Sequence, residues 1–296
     1  MTYNLYHKTE FSYQGMVTFS HNIARLKPKN TPSQQLIDFT MEVTPVPYET
    51  HEYTDMFGNV NTHLLIREAH QNLSLIGKST VTLIPSYHEE RYDYARQNCL
   101  TCNEVRQRLL GFHTQDVLAK QFLFESELIP LGSQAIRAYA LESFHPNRSL
   151  FEACYEFMNR IFADFTFVSG FSDITTPIDE IFEAKKGVCQ DFAQFAISAL
   201  RSLGLPAKYM SGYIETIPAK GKKKLFGADA SHAWFALYIP QIGWIEFDPT
   251  NNILPTHQHI LLGEGRDYND IAPLKGVVMS SGESTLSVMV DVRQTS

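Results

Sequence analysis

The sequence predicts an α+β protein with an N-terminal antiparallel β-sandwich-like domain at residues 1–90, a core with a helical lead-in at 91–275, and a C-terminal β-strand segment at 276–296. Three observations predict this arrangement. Short strand-like segments broken by turn residues fill the first part. Apolar residues at helical spacing dominate the start of the second part, and alternating segments return after it. The core should therefore pack helices against an antiparallel sheet.

The first part contains short runs of β-branched and aromatic residues, separated by proline, glycine and asparagine. The predicted strands cover residues 3–13, 21–26, 36–43, 61–66 and 73–83. Strands of this length and spacing are typical of a small sandwich. The pattern contains no group of catalytic residue types, so we expect this part to serve as a scaffold or as a wall beside the substrate.

Helical patterns dominate residues 103–165. Ser149 and Glu152 have the spacing of a capping box, which predicts a helix start at that point. An apolar stripe follows and includes Cys154, which we therefore interpret as a core residue. Thr176 followed by Pro177 predicts the start of another helix, which would end near Gly187.

Cys189 is predicted to lie in the first turn of a buried helix. The apolar residues that follow it at helical offsets are Phe192, Ala193, Ala196, Leu200 and Leu203, and Gly204 is expected to end the helix. The free N–H groups and the positive dipole end at a helix start favour a thiolate over a thiol. Buried free cysteines are also common packing residues, so this position alone leaves both interpretations open.

Two predicted strands downstream give Cys189 potential partners. The strands cover residues 233–239 and 244–247, and a short turn between them predicts an antiparallel hairpin. His232 begins the first strand and Asp248 follows the second, so their side chains should meet at the same end of the hairpin. A thiol, an imidazole and a carboxylate that converge form a nucleophile, a base and a group that orients the base.

The runs around Cys189, at residues 229–234 and at residues 243–250 resemble the transglutaminase-like superfamily. More narrowly, the chain resembles a bacterial branch of transglutaminase-like enzymes and cysteine proteases that carry an N-terminal β-rich region. The resemblance implies a transglutaminase-like, or papain-like, core. It also implies that Cys189 is the nucleophile, His232 the general base and acid, and Asp248 the partner of the histidine.

Composition restricts the possible partners and compartments. The net charge of −7 argues against binding to nucleic acid backbones. The chain shows no apolar run long enough to span a bilayer and no signal peptide pattern, so we expect no membrane association. Four cysteines in 296 residues do not form a disulfide framework, and a reducing cytoplasm fits them. We expect no cofactor and no metal, and the oligomeric state stays open.

Two pairs of potential metal ligands occur in the sequence, and we expect neither pair to bind a metal. Cys99 and Cys102 form a C-x-x-C pair, but the further ligands of a zinc site and the surroundings of a redox motif are missing, so we expect incidental thiols. His257 and His259 form an H-x-H pair after a proline, and we expect them to lie in a solvated loop.

Other segments bear on the expected site more loosely. Residues 220–224 are rich in lysine and should form an exposed loop that guides acidic substrate groups. Charges at residues 266–270 could lie near the site or could form structural ion pairs. The backbone N–H of Cys189 is the expected first oxyanion donor. Tyr213 and the Trp234 indole are weaker candidates for the second donor.

Three functions remain open at this point. The resemblance favours a cysteine peptidase or amidase that acts on a peptide or protein substrate through a thioester. A protein-glutamine acyltransferase would use the same nucleophile but would protect the thioester from water. A catalytically idle binding module that retains the fold is the third possibility.

Overall fold

The computed structural model describes residues 1–216, 225–227 and 229–295. The chain has the predicted α+β architecture, with strands first, helices next and a second antiparallel sheet after them. The N-terminal strands are β1 (Thr2–Val17), β2 (Phe19–Ala24), β3 (Gln34–Thr44), β4 (Glu49–Thr54), β5 (Val60–Ile66) and β6 (His70–Leu83). All five predicted N-terminal strands overlap members of this set. The sequence does not predict β4, because β4 is exposed along its whole length and therefore lacks an alternating buried face.

Two strands from the end of the chain complete the N-terminal sandwich. They are β13 (Leu274–Met279) and β14 (Ser284–Gln294). One sheet has the order β14-β1-β6-β3 and the other has the order β13-β2-β5-β4, with antiparallel pairing throughout. The C-terminal segment is therefore built into the N-terminal sheets. The division of the chain at residues 90 and 275 stays a prediction.

The middle of the chain is helical. Its helices are α1 (Pro85–Asn98), α2 (Cys102–Leu110), α3 (Thr114–Val117), a 3₁₀ helix at Leu118–Leu123, α4 (Gln134–Leu141), α5 (Leu150–Asp164), α6 (Ile178–Ala184) and α7 (Cys189–Ser202). Two short parallel strands, β7 (Thr166–Phe167) and β8 (Lys186–Gly187), lie beside α6 in the sequence. Within the described ranges, none of the helices is long and apolar enough to cross a bilayer.

One predicted cap is wrong and another was not foreseen. Ser149 is the residue before α5, but its side chain makes no capping hydrogen bond. Its backbone pairs with Thr101 in an isolated bridge. Thr101 and Glu104 form a capping box at the start of α2. Cys154 is fully buried on α5, which confirms that it is a core residue.

The second sheet contains β9 (Ala207–Ile214), β10 (Ser231–Ile239), β11 (Gly243–Phe247) and β12 (His259–Gly265) in the order β11-β10-β9-β12. Helix α7 packs against it, and every residue from 191 to 201 is buried. The helix ends as predicted. Gly204 has a φ of +74°, and the N–H groups of Gly204 and Leu205 donate to the carbonyls of Arg201 (2.9 Å) and Leu200 (3.0 Å). A last element, α8 (Tyr268–Ile271), follows β12.

Buried polar contacts attach the sandwich to the second sheet. The Tyr213 hydroxyl lies 2.8 Å from Nδ1 of His7. The side-chain amide of Gln34 donates to the Leu261 carbonyl (2.8 Å) and accepts from the Leu261 N–H (2.7 Å). Both contacts reach β9 or β12, so the sandwich fixes the position of the sheet edge formed by β12. This arrangement supports the predicted scaffold role.

Candidate active site

Cys189 is the first residue of α7, and its side chain is half-buried. The N–H of Val188 donates to the carboxylate of Asp191 (2.7 Å), and the hydroxyl of Ser172 donates to the same oxygen. Burial raises the pKa of Asp191, and these two donors oppose that rise. The backbone before Cys189 is therefore held by a carboxylate in the first turn of its own helix, which fixes the direction of the cysteine.

His232 lies near the start of β10 and is in contact with both predicted partners. Its Nε2 atom is 2.7 Å from Oδ2 of Asp248, which follows β11 and is fully buried. The ring also faces the side chain of Cys189, which acts electrostatically on it and lines the same cleft. Since Asp248 occupies Nε2, the nitrogen that remains for the sulfur is Nδ1. The hairpin therefore brings the three predicted residues together in the predicted order.

The electrostatics of this group favour a charged imidazole. Burial alone would lower the pKa of His232, but the hydrogen bond to Asp248 and the electrostatic interactions with Asp248 and Cys189 raise it to about 10. Burial would likewise raise the pKa of Asp248, but the bonds from its histidine partners hold that pKa well below its ordinary range. An imidazolium and a carboxylate therefore form a buried ion pair at neutral pH.

The Asp248 carboxylate accepts five hydrogen bonds. Its Oδ1 atom accepts from the N–H groups of Thr250 (2.9 Å) and Asn251 (3.2 Å) in the turn that follows. Its Oδ2 atom accepts from His232, from the amide of Asn251 (2.7 Å) and from Nε2 of His259 (2.9 Å). No direct interaction between Asp248 and Asn251 or His259 was foreseen from the sequence.

The expectation that both histidines of the H-x-H pair lie in a solvated loop is right for His257 and wrong for His259. His257 is exposed, whereas His259 is buried and begins β12. The apolar run at residues 260–262 is a sequence signal for a strand, and His259 lies directly before it. The partner of His259 could not be found locally, because β12 pairs with β9 and not with a sequence neighbour.

The two weaker candidates for an oxyanion donor are both wrong. The Tyr213 hydroxyl is engaged with His7 in the buried contact described above. The Trp234 indole N–H donates to Glu246 (2.7 Å). Its ring instead packs beside His232, with centroids 5.9 Å apart and an interplanar angle of 23°. Trp234 therefore supports the imidazole and leaves no N–H for a substrate oxygen.

Comparison with known families agrees with this geometry. Residues 3–82 match the bacterial transglutaminase-like N-terminal region, and residues 137–249 match the transglutaminase-like superfamily core. An uncharacterized protein of Mycobacterium tuberculosis is 36% identical over 295 residues, which cover 98% of this chain and 92% of the relative. This chain belongs to the transglutaminase-like superfamily.

Two further similarities concern narrower points. The crystal structure of a proposed cysteine protease from Cytophaga hutchinsonii covers 100% of this chain and 92% of its own, with a TM-score of 0.74 and 23% identity, which shows a shared fold. A protein-glutamine gamma-glutamyltransferase of Pseudomonas aeruginosa is 34% identical over 79 residues, which cover 26% of this chain and 12% of the relative.

The transglutaminase-like core has an open cleft beside the sulfur. The cleft has a volume of about 400 Å³ and contains both Cys189 and His232 in its lining. Phe167 and Ile214 contribute apolar surface, and Asn251 contributes an amide.

A metal could also be considered at the centre of the site. Three potential ligand atoms lie within 4.8 Å of one another, one each from His232, Asp248 and His259. The two Nε2 atoms are, however, both hydrogen-bonded to the carboxylate. The histidines therefore already have the partner that a metal would have to replace.

The remaining predicted features lie away from this chemistry or outside the described residues. Cys99 and Cys102 are free thiols. Burial raises the pKa of Cys99 and, separately, raises the pKa of Cys102 to about 11, so both thiols are protonated at neutral pH. Arg266 forms an ion pair with Asp270 (2.9 Å). Of the two possibilities left open for residues 266–270, this contact is the structural ion pair. The lysine-rich run at residues 220–224 lies outside the described residues.

Proposed function

We propose that this protein is a cysteine peptidase or amidase that cleaves an amide or peptide bond through a thioester on Cys189. The observation that supports the proposal is the position of His232, which lines one cleft together with Cys189 and forms a hydrogen bond to a buried carboxylate. Acyl transfer through a covalent intermediate requires a nucleophile, a base beside it and a third group that orients the base.

The first half of the proposed reaction forms the thioester. The sulfur of Cys189 attacks the substrate carbonyl carbon as a thiolate, while the proton from the thiol resides on His232. The Cys189 N–H, in the first turn of α7, donates to the developing oxyanion. The imidazolium then protonates the leaving amine as the carbon–nitrogen bond breaks. Asp248 keeps the ring oriented and balances its charge during both transfers.

In the second half, water resolves the intermediate. His232 is neutral after it has given its proton to the amine, so it can accept a proton from the attacking water. The carbon–sulfur bond then breaks and a carboxylic acid leaves. Cys189 is again a thiolate, and the proton taken from water stays on His232. The cleft volume of about 400 Å³ suits a segment of a peptide or protein substrate. A reducing cytoplasm is the proposed compartment, because the nucleophile must remain a free thiol.

The second candidate is a protein-glutamine acyltransferase, in which an amine replaces water in the second half. The local similarity to the glutamyltransferase of Pseudomonas aeruginosa favours it. Incubation with a glutamine-containing peptide and a labelled primary amine separates the two reactions. Ammonia release or peptide cleavage without label supports the hydrolase, whereas incorporated label supports the acyltransferase.

The third possibility, an idle binding module, is tested by alkylation. At pH 7, iodoacetamide should modify Cys189 at least about tenfold faster than Cys99, since burial raises the pKa of Cys99. Cys189→Ala should abolish turnover, whereas Cys99→Ala, the matched control, should retain it. Equal modification rates at the two cysteines, with no turnover of any peptide, would overturn the proposed function.

A further inference from the structure

The carboxylate of Asp248 is shared by two histidines that come from different strands. His232 lies on β10, whereas His259 lies at the start of β12, with β9 between them in the sheet. Both rings use Nε2 to reach Oδ2 of Asp248, at 2.7 Å and 2.9 Å. A second imidazole on the orienting carboxylate is not required by the reaction described above.

The chemistry of the three groups fixes their roles. An ionised carboxylate only accepts hydrogen bonds, so His259 must carry its hydrogen on Nε2. Burial lowers the pKa of His259, which leaves that ring neutral at neutral pH. Its Nδ1 atom has no hydrogen-bond partner among the described residues. His232 is then the charged partner of the carboxylate, and His259 contributes one neutral N–H donor.

The surroundings of His259 hold its ring in place. Its backbone pairs with Ile214 on β9, and its ring meets the Trp234 indole edge to face, with centroids 5.0 Å apart. The charged or titratable groups that act on it are Asp248, His232 and Glu246. The side chain is 2% exposed, so water has little access to its N–H.

The other donors to Asp248 cannot replace this contact. The turn N–H groups bind Oδ1 and make no contact with Oδ2. Asn251 does reach Oδ2, but Asn251 is exposed, and water can take its place. His259 is the buried donor that links the end of β11 to β12 across the sheet.

We propose that His259 is a positioning residue that fixes Oδ2 of Asp248 at the imidazole of His232. This inference rests on the proposed function of the Cys189, His232 and Asp248 group. It assigns His259 no contact with the substrate. Its effect is on the orientation of the carboxylate, and through it on the proton that His232 holds.

Two substitutions separate positioning from packing. His259→Phe keeps a ring against Trp234 but removes the donor. His259→Gln places an amide N–H near the position of Nε2 and restores the donor. His257→Phe, at the exposed histidine two residues earlier, is the matched control.

Three measurements on the full chain are compared for each variant: the alkylation rate of Cys189 by iodoacetamide, the NMR titration of the His232 ring, and the melting temperature. His259→Phe should slow alkylation at pH 7 by roughly tenfold, the size of effect that loss of an outer hydrogen-bond partner has at metal sites. It should also shift the pKa of His232 away from the wild-type value. His259→Gln should restore both to within about threefold of wild type, and His257→Phe should change neither.

The inference is overturned if His259→Phe leaves the alkylation rate and the His232 titration at wild-type values. It is also overturned if His259→Gln fails to restore them while both variants melt at the same temperature. An unreactive wild-type Cys189 would instead contradict the proposed function. The His232 titration decides the role of His259 in that case too, because it requires no reaction at the sulfur.

Discussion

Replacement of Asp248 by asparagine tests the electrostatic design of the site. The carboxylate accepts from both histidines and from Asn251 at a single oxygen, Oδ2. An asparagine that keeps its carbonyl on the turn N–H groups would turn its NH₂ toward these three donors. Donors would then face donors in a fully buried position, and the charge that stabilises the imidazolium of His232 would be lost.

The magnitude follows from the pKa of His232. A value of about 10, against an ordinary 6.5, corresponds to about 5 kcal/mol in favour of the imidazolium, shared between Asp248 and Cys189. Loss of one member of a buried ion pair typically costs about 3–5 kcal/mol of folding free energy. We therefore expect Asp248→Asn to reduce the free energy of unfolding by about 3 kcal/mol near pH 6.

The pH dependence has a defined sign. Because the pKa of His232 is raised on folding, its contribution is fully present below about pH 6.5 and is lost as the pH rises through about 10. Because the pKa of Asp248 is lowered, its contribution is present above about pH 4 and is lost as the pH falls further. The stability difference between wild type and Asp248→Asn should therefore be largest between these limits and should shrink toward pH 10.

The assay is an NMR titration of the His232 ring together with denaturant unfolding at pH 6 and pH 10. In the wild type, the ring should stay charged between pH 6 and pH 9, whereas in Asp248→Asn it should lose its proton near or below pH 6.5. Asp267→Asn is the control, because Asp267 is a buried carboxylate that accepts from Asn269 N–H (2.8 Å) and from Leu128 N–H (3.1 Å). A charged His232 at pH 8 in the Asp248→Asn protein would refute the reasoning.

Two glycine substitutions give further predictions. A Cβ on Gly187 would lie 2.7 Å from the Asp191 carboxylate, so Gly187→Ala should displace the group that holds the backbone before Cys189. We expect a loss of about 1–3 kcal/mol in unfolding free energy and slower alkylation of Cys189, and an unchanged alkylation rate would contradict this link. A Cβ on Gly212 would lie 1.9 Å from the Ile260 carbonyl oxygen, which is backbone and cannot rotate away. Gly212→Ala should therefore separate β9 from β12 and lower the melting temperature more than Gly187→Ala does, and an equal or smaller effect would argue against this close approach.

Local sequence patterns predict the parts of the site that depend on neighbours along the chain. The helix that begins at Cys189 follows from apolar spacing and from Gly204, and the hairpin that joins His232 to Asp248 follows from alternation and a short turn. These features are specified within a few residues, so their periodicity is visible in the sequence.

The parts that were missed depend on pairing between distant segments. His259 gains its role because β12 pairs with β9, and a histidine before a short apolar run carries no mark of that partner. Tyr213 was considered for the site because it lies near the end of a core strand, but its hydroxyl is taken by His7, more than 200 residues earlier. In both cases a long-range contact outweighs a local preference.

The closure of the sandwich by β13 and β14 has a consequence for biosynthesis. β1 pairs with β14 along eleven consecutive residue pairs, from Tyr3 to Tyr13, yet β14 leaves the ribosome only after the entire core. During translation one edge of β1 therefore has no strand beside it, and nascent chains with open edges are prone to associate with one another. The sandwich is thus completed only after the helix that carries the cysteine has been synthesised, although most of its strands precede that helix in the chain.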